Sequence, residues 1–197
     1  MPELPRKKVG IIACSGEEMA EGTVTRLAAL RVLHELRPDD TVTICLPLFV
    51  AGGEGDRAFA RFYPTIAVDG CDLRCAARAT ERYSGKPAAS VVVSDVVAAC
   101  GLARPQGRRR LDAAGQAAVT ATADRVAALV DELLGKHWSR RRGEFIPEPA
   151  VVPQFVADPS LPIFGTSVEP MAFAPGAGQP QPRPLQGEAT DGSAEAI

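Results

Sequence analysis

The amino-acid sequence predicts an α/β fold, a three-layer sandwich in which helices cover both faces of a mostly parallel sheet of four strands. Four short apolar segments are typical of buried strands, and a segment with helical periodicity follows each of them. Hydrophobic residues make up 46% of the 197 residues, which is ample for a globular core. Right-handed crossovers between parallel strands then place helices on both sides of the sheet.

The first half of the domain contributes two strands. Residues 9–13 form the first, and the helical pattern that follows extends to Leu36, with its regular part expected to begin near Thr23 because Gly22 weakens the start. Residues 41–46 form the second strand, which Pro47 closes. A short helix is expected over residues 56–63.

The second half contributes two more strands. Residues 65–68 and 90–93 are the third and fourth strands, and a helix is expected over residues 73–83 between them. The clearest helix covers residues 111–134, since its valines recur on one face. The preferred strand order is 2-1-3-4, as in flavodoxin-like and Rossmann-like sheets.

Two segments follow from this interpretation. Residues 7–136 form the cysteine-bearing α/β domain, whereas residues 145–197 form a Pro-rich, extended or disordered tail, because frequent prolines prevent a regular helix or central strand. The alternative for the tail is a segment that binds a protein partner.

Composition excludes several classes of function. The aromatic share is 5% and the net charge is −2, so we expect no nucleic-acid binding. The arginine runs at 108–110 and 140–142 are predicted to be solvated surface charges. No apolar run approaches the ~20 residues of a membrane helix, and no signal-peptide pattern is present, so we expect a cytoplasmic protein without disulfides.

Four of the five cysteines point to a metal site. Cys14, Cys45 and Cys71 come at the ends of the first three predicted strands, and Cys75 comes one helical turn after Cys71. Because the carboxyl ends of parallel strands share one edge of the sheet, these thiols are expected to meet there. Sulfur-only ligands favour zinc or, alternatively, an iron–sulfur cluster.

The residues next to these cysteines also have predicted roles. Ser15, Gly16, Asp69 and Gly70 are expected to form the turns of the site or to support its ligands, and Asp72 to cap the helix that carries Cys75. Residues outside the site are expected to face solvent or fill the core. Glu17, Glu18, His34 and His137 are placed at the surface, and Cys100 in the core.

The motifs resemble a known family. Asp69-Gly70-Cys71 followed by Cys75, with Cys14-Ser15-Gly16 and Cys45-Leu46-Pro47 before them, is similar to the DGC-domain proteins. This bacterial and archaeal family is described as zinc-binding and is named for its Asp-Gly-Cys motif. The resemblance covers about residues 8–134 and implies the same four cysteines as ligands, without implying a reaction.

Three functions are consistent with these features. The first is a zinc-binding protein with a closed four-cysteine site that is structural, carries metal or senses it. The second is a thiol-dependent redox or sulfur-transfer enzyme that uses Cys14 or Cys71 at a helix N-terminus, although the chain has no Cys-x-x-Cys pair. The third is an interaction module that binds a partner through the tail.

Overall fold

The structure, a computed structural model, describes residues 7–147. Apart from its first three residues, the predicted Pro-rich tail lies outside the described residues, and so does the interaction assigned to it. The strands of the main sheet are β1 (Val9–Ala13), β2 (Thr41–Thr43), β3 (Thr65–Asp69) and β4 (Ala89–Val92). They are all parallel and lie in the order β2-β1-β3-β4, which confirms the predicted topology.

At least one helix follows each strand of the main sheet. They are α1 (Ala20–Arg31), which continues into a π-helical turn (Val32–Leu36), α2 (Leu46–Ala51), α3 (Glu54–Arg57), α4 (Phe59–Phe62), α5 (Cys75–Tyr83), α6 (Val93–Ala99) and α7 (Ala113–Leu134). A two-residue hairpin follows, β5 (Trp138–Ser139) with β6 (Glu144–Phe145). The Trp138 indole N–H of this hairpin donates a hydrogen bond to the Arg61 carbonyl at 3.0 Å.

The core has two parts, one on each face of the sheet. Alternate residues of β1 point to opposite sides, as the two-residue period of a strand requires. Ile11 packs with buried residues of α1, α6 and α7, whereas Ile12 packs with Phe49 of α2 and Ala76 of α5. The expected three-layer α/β sandwich is therefore present.

Several element boundaries differ from the predicted ones. Strand β2 ends at Thr43 rather than at residue 46, because Leu46 starts an unpredicted helix in which Pro47 occupies the first turn, where a missing N–H costs nothing. Helix α1 starts at Ala20, before Gly22, instead of near Thr23. The single helix expected over residues 56–63 is two short ones, α3 and α4.

The placement of Cys100 in the core was wrong. This residue directly follows α6 and is exposed, whereas the buried apolar side chains of that helix are Val93 and Val97. Cys100 instead lines an open cavity of about 490 Å³ beside β4. The predicted surface positions of Glu17, Glu18, His34 and His137 are correct, because all four are exposed.

Candidate metal centre

The four cysteines lie along the carboxyl edge of the sheet. Cys14 directly follows β1, Cys71 comes two residues after β3, and Cys45 comes two residues after β2, as the residue that precedes α2. Cys75 is the first residue of α5. From β1 the chain crosses to β2 on one side and from β3 to β4 on the other, so Cys14 and Cys71 flank the topological switch point, where open α/β sheets bind ligands.

A hydrogen bond joins the two cysteine-bearing turns at this point. The backbone N–H of Gly70 donates to the Cys14 sulfur across 3.3 Å. The sulfur also lies 3.6 Å from the Thr25 hydroxyl of α1, which accepts a hydrogen bond from the Ser15 N–H at 3.1 Å. Thr25 is fully buried and donates its own proton to the Gly22 carbonyl at 2.7 Å. Cys14 is therefore held by α1 on one side and by the β3 turn on the other.

Asp69 holds the helix that carries Cys75. Its buried carboxylate accepts hydrogen bonds from the backbone N–H groups of Ala76 at 2.7 Å and Ala77 at 3.1 Å, two of the otherwise unpaired donors at the start of α5. Burial raises the pKa of the Asp69 carboxyl, and the two N–H donors oppose that change.

The prediction that Asp72 caps this helix was therefore wrong. Asp72 is exposed, and Arg74 occupies the capping position without a side-chain cap. The turn over residues 70–74 folds back so that the last residue of β3 faces the first turn of α5, which leaves Asp72 on the outside.

Backbone strain is concentrated next to the cysteines. Ser15 and Arg74, both with φ of 50°, are the only non-glycine residues between 7 and 147 in the left-handed region, and they adjoin Cys14 and Cys75. That conformation costs about 1–2 kcal/mol per residue. The Arg74 guanidinium donates to the Ser90 hydroxyl at 2.9 Å, which helps to hold its turn. Strain of this kind persists where surrounding contacts over-determine the backbone, commonly at functional sites.

Close contacts between backbone segments explain why positions 22 and 70 are glycines. A Cβ on Gly22 would lie 1.8 Å from the Gly16 carbonyl oxygen, and one on Gly70 would lie 3.0 Å from the backbone of Glu21. The first turn of α1 thus packs directly on both cysteine loops. Gly22 and Thr25 were missed as site residues, although a glycine inside a helical pattern is itself a signal of close backbone approach.

The thiols differ in exposure. Cys14 and Cys71 are partly buried, whereas Cys45 and Cys75 are exposed. Although Cys75 is exposed as a residue, desolvation by neighbouring atoms raises the pKa of its thiol, and negative charge on Cys14, Asp69 or Cys71 raises that pKa further. Three of the four cysteines therefore share one electrostatic environment.

The donor set suits zinc chemically, but the site is not closed. Within residues 7–147, no three His, Cys, Asp or Glu side chains are close enough to bind a single metal ion. Four thiolates are the donors that zinc and iron–sulfur clusters prefer. The structure thus brings the cysteine turns to one edge without gathering the sulfurs around one point.

The fold and this edge define a parallel α/β protein with cysteines at the switch point of its sheet. Residues 10–130, more than half of the chain, match the DGC domain family, and the chain belongs to that family. The resemblance found in the sequence is thereby confirmed. No curated protein and no solved structure matches the chain. In the described part of the chain, no helix has the length and apolar character needed to cross a membrane.

Proposed function

We propose that this protein binds one zinc ion through Cys14, Cys45, Cys71 and Cys75. The observation that carries the proposal is the hydrogen bond from the Gly70 N–H to the Cys14 sulfur, because it joins two cysteine turns that are 56 residues apart in sequence. Membership of the DGC-domain family is consistent with a metal-binding role. The strained residues beside Cys14 and Cys75 add independent support.

Electrostatics favour a cation at this edge. The charges of Cys14, Asp69 and Cys71 oppose deprotonation of Cys75, so the thiolates repel one another without a counter-charge. A divalent ion supplies that counter-charge, and the Gly70 N–H offsets part of the formal −2 charge of a zinc ion with four thiolates. Asp69 then acts by holding α5, and with it Cys75, through the Ala76 and Ala77 N–H groups.

Closing the site requires the sulfurs of Cys45 and Cys75 to move closer to those of Cys14 and Cys71. Cys45 and Cys75 are exposed and both stand at the start of a helix, where side-chain rotation does not disturb the sheet. A closed four-sulfur site has no position for water, so its role is structural, metal-carrying or metal-sensing rather than hydrolytic.

Metal analysis of the full chain, purified without added metal, tests the proposal. We expect about one zinc per chain, the stoichiometry of a closed tetrahedral site, and loss of the metal in Cys14→Ser and Cys71→Ser. Cys100→Ser is the matched control, since Cys100 is exposed and lies in the cavity beside β4.

Cobalt substitution should give the intense thiolate-to-metal absorption of a tetrahedral sulfur site, and an iron–sulfur cluster would instead colour the protein as isolated. Folded, metal-free protein that takes up no zinc would refute the proposal.

A thiol enzyme is the second candidate, and the same hydrogen bond favours it. An N–H donor stabilises a Cys14 thiolate whether that thiolate is a ligand or a nucleophile. Fast alkylation of Cys14 alone, without release of metal, would favour the enzyme. The protein partner of the tail and the cytoplasmic location stay predictions.

A further inference from the structure

A polar cavity lies next to the Cys14 turn. It has a volume of about 660 Å³ and is open to solvent. Its lining residues come from the Cys14 turn, the first turns of α1 and the loop before α7: Ser15, Glu17, Glu18, Gly22, Thr23, Arg26, Arg108 and Arg109. Two of the three arginines at 108–110, which were predicted to be solvated surface charges, therefore line a cavity.

The charge of this lining favours an anion. Three arginines face two glutamates, so the lining carries +3 − 2 = +1. Among the described residues, the only ion pair within the lining joins Arg108 and Glu18 at 3.8 Å, and both side chains are more than half exposed. Exposed pairs at this distance contribute little, so an incoming anion competes easily for Arg108. Arg26 and Arg109 make no ion pair within residues 7–147.

The loop that carries Arg108 and Arg109 is anchored to α1. The Thr23 hydroxyl donates to the Arg108 carbonyl at 2.5 Å. Earlier in the loop, the Arg104 guanidinium donates a hydrogen bond to the buried Glu21 carboxylate of α1 at 2.9 Å. The loop backbone is therefore held against the wall of the cavity.

The end of the same loop is fixed by Asp112. Its carboxylate accepts hydrogen bonds from the backbone N–H groups of Gln106 at 3.2 Å and Gly115 at 2.8 Å. Gly107, with φ of 85°, makes the tight turn between them, and a Cβ there would lie 2.1 Å from the Arg110 carbonyl oxygen. A loop held at both ends presents its arginines with less loss of conformational entropy on binding.

We propose that this cavity binds a small molecule through its phosphate or carboxylate group, beside the Cys14 turn. Guanidinium groups match the oxygens of either anion in paired hydrogen bonds. A cavity of this size holds a ligand of metabolite size. The anion site is separate from the metal proposal, because none of its lining residues is one of the four cysteines.

Titration of the isotopically labelled full chain with inorganic phosphate, followed by amide NMR, tests this site. Sodium acetate is the second probe, and sodium chloride at matched ionic strength is the baseline. Saturable shifts at Ser15, Gly22, Thr23 and Arg108 with either probe are expected, and the stronger probe identifies the preferred anion. Arg26→Gln, on α1, and Arg109→Gln, on the loop, should each weaken binding by about tenfold, as expected when a charge-assisted hydrogen bond is removed.

Arg110→Gln is the matched control, because Arg110 is exposed and adjacent in sequence but does not line the cavity. Its affinity should equal that of the unmodified chain. The proposal is overturned if neither anion gives saturable shifts, or if Arg110→Gln weakens binding as much as Arg109→Gln. Metal content, measured on the same samples, reports separately on the cysteine site.

Discussion

The backbone N–H of Gly70 donates a hydrogen bond to the Cys14 sulfur at 3.3 Å. This contact gives each residue of the Asp-Gly-Cys motif a separate physical task. Asp69 caps α5 through Ala76 and Ala77, and Gly70 supplies the donor while allowing α1 to approach closely. Cys71 follows as a thiol at the switch point of the sheet. The motif therefore links the end of β3 to the Cys14 turn, to α1 and to α5, and it also supplies one sulfur.

Metal removal should change the number of reactive thiols. The chain has five cysteines, and four of them are the proposed ligands, so a thiol reagent should detect about one thiol per chain before chelation and five after it. The chelated protein should also unfold at a lower temperature, because a ligand bound only to the folded state stabilises it. Five reactive thiols in untreated protein that contains zinc would place the metal elsewhere.

The sequence predicted the sheet better than the site. Strand identity and order follow from apolar runs and right-handed crossovers, and both signals are local and strong. The cap of α5 was assigned to Asp72 because it lies just before the predicted helix, whereas the actual acceptor, Asp69, reaches that helix only through the fold of the turn. Thr25 could not be identified as a site residue from the sequence either. Its contacts with Ser15 and Cys14 join positions about ten residues apart, and hydrophobic periodicity carries no information on such a contact.

Replacing Thr25 with valine should weaken the Cys14 turn. The substitution keeps the shape of the buried side chain but leaves the Ser15 N–H without its acceptor. Losing this partner should lower the free energy of unfolding by about 1–2 kcal/mol, measured by chemical denaturation. If Cys14 binds zinc, affinity should also fall by about 10–100-fold, as for other residues that orient metal ligands.

Thr122→Val is the control for that experiment. Thr122 is also fully buried in a helix, but within the described residues its hydroxyl has no hydrogen-bond partner. Its replacement should leave stability unchanged or raise it, because an unpaired buried hydroxyl is removed. Equal losses in the two variants would show that the Thr25 hydrogen bonds do not stabilise the turn.

Replacing Gly22 with alanine should disrupt the packing of α1 on the Cys14 loop. The added Cβ would lie 1.8 Å from the Gly16 carbonyl oxygen, and backbone atoms there cannot move aside without shifting the loop. A loss of about 3 kcal/mol in the free energy of unfolding is expected, at the upper end for overpacking.

The matched substitution for this test is Gly55→Ala. Gly55 lies in α3, and, apart from its chain neighbours and the backbone of its own helix, no atom lies within 4 Å of the position of its added Cβ. Stability should rise by about 0.5–1 kcal/mol, because alanine restricts the unfolded chain without a clash. A Gly22→Ala variant as stable as the unmodified chain would contradict the close approach of α1 and the Gly16 loop.

The ion pair between Arg37 and Asp131 should make part of the stability depend on pH. The Arg37 guanidinium donates two hydrogen bonds to the Asp131 carboxylate, at 2.7 and 2.6 Å, and these bonds lower the pKa of Asp131 below its ordinary value of 3.8. A lowered pKa in the folded state gives stability that is present above pH 3.8 and is lost as the pH falls through the folded value. The difference in unfolding free energy between the unmodified chain and Asp131→Asn should therefore be constant near neutral pH and shrink in acid.

Denaturation curves recorded from neutral to acid pH measure this difference. The control is Asp124→Asn, at an exposed position of α7 without an ion pair in the described chain, and its unfolding free energy should not differ from that of the unmodified chain in a pH-dependent way. A penalty for Asp131→Asn that stays the same at every pH would mean that the pair does not stabilise the fold through its charge.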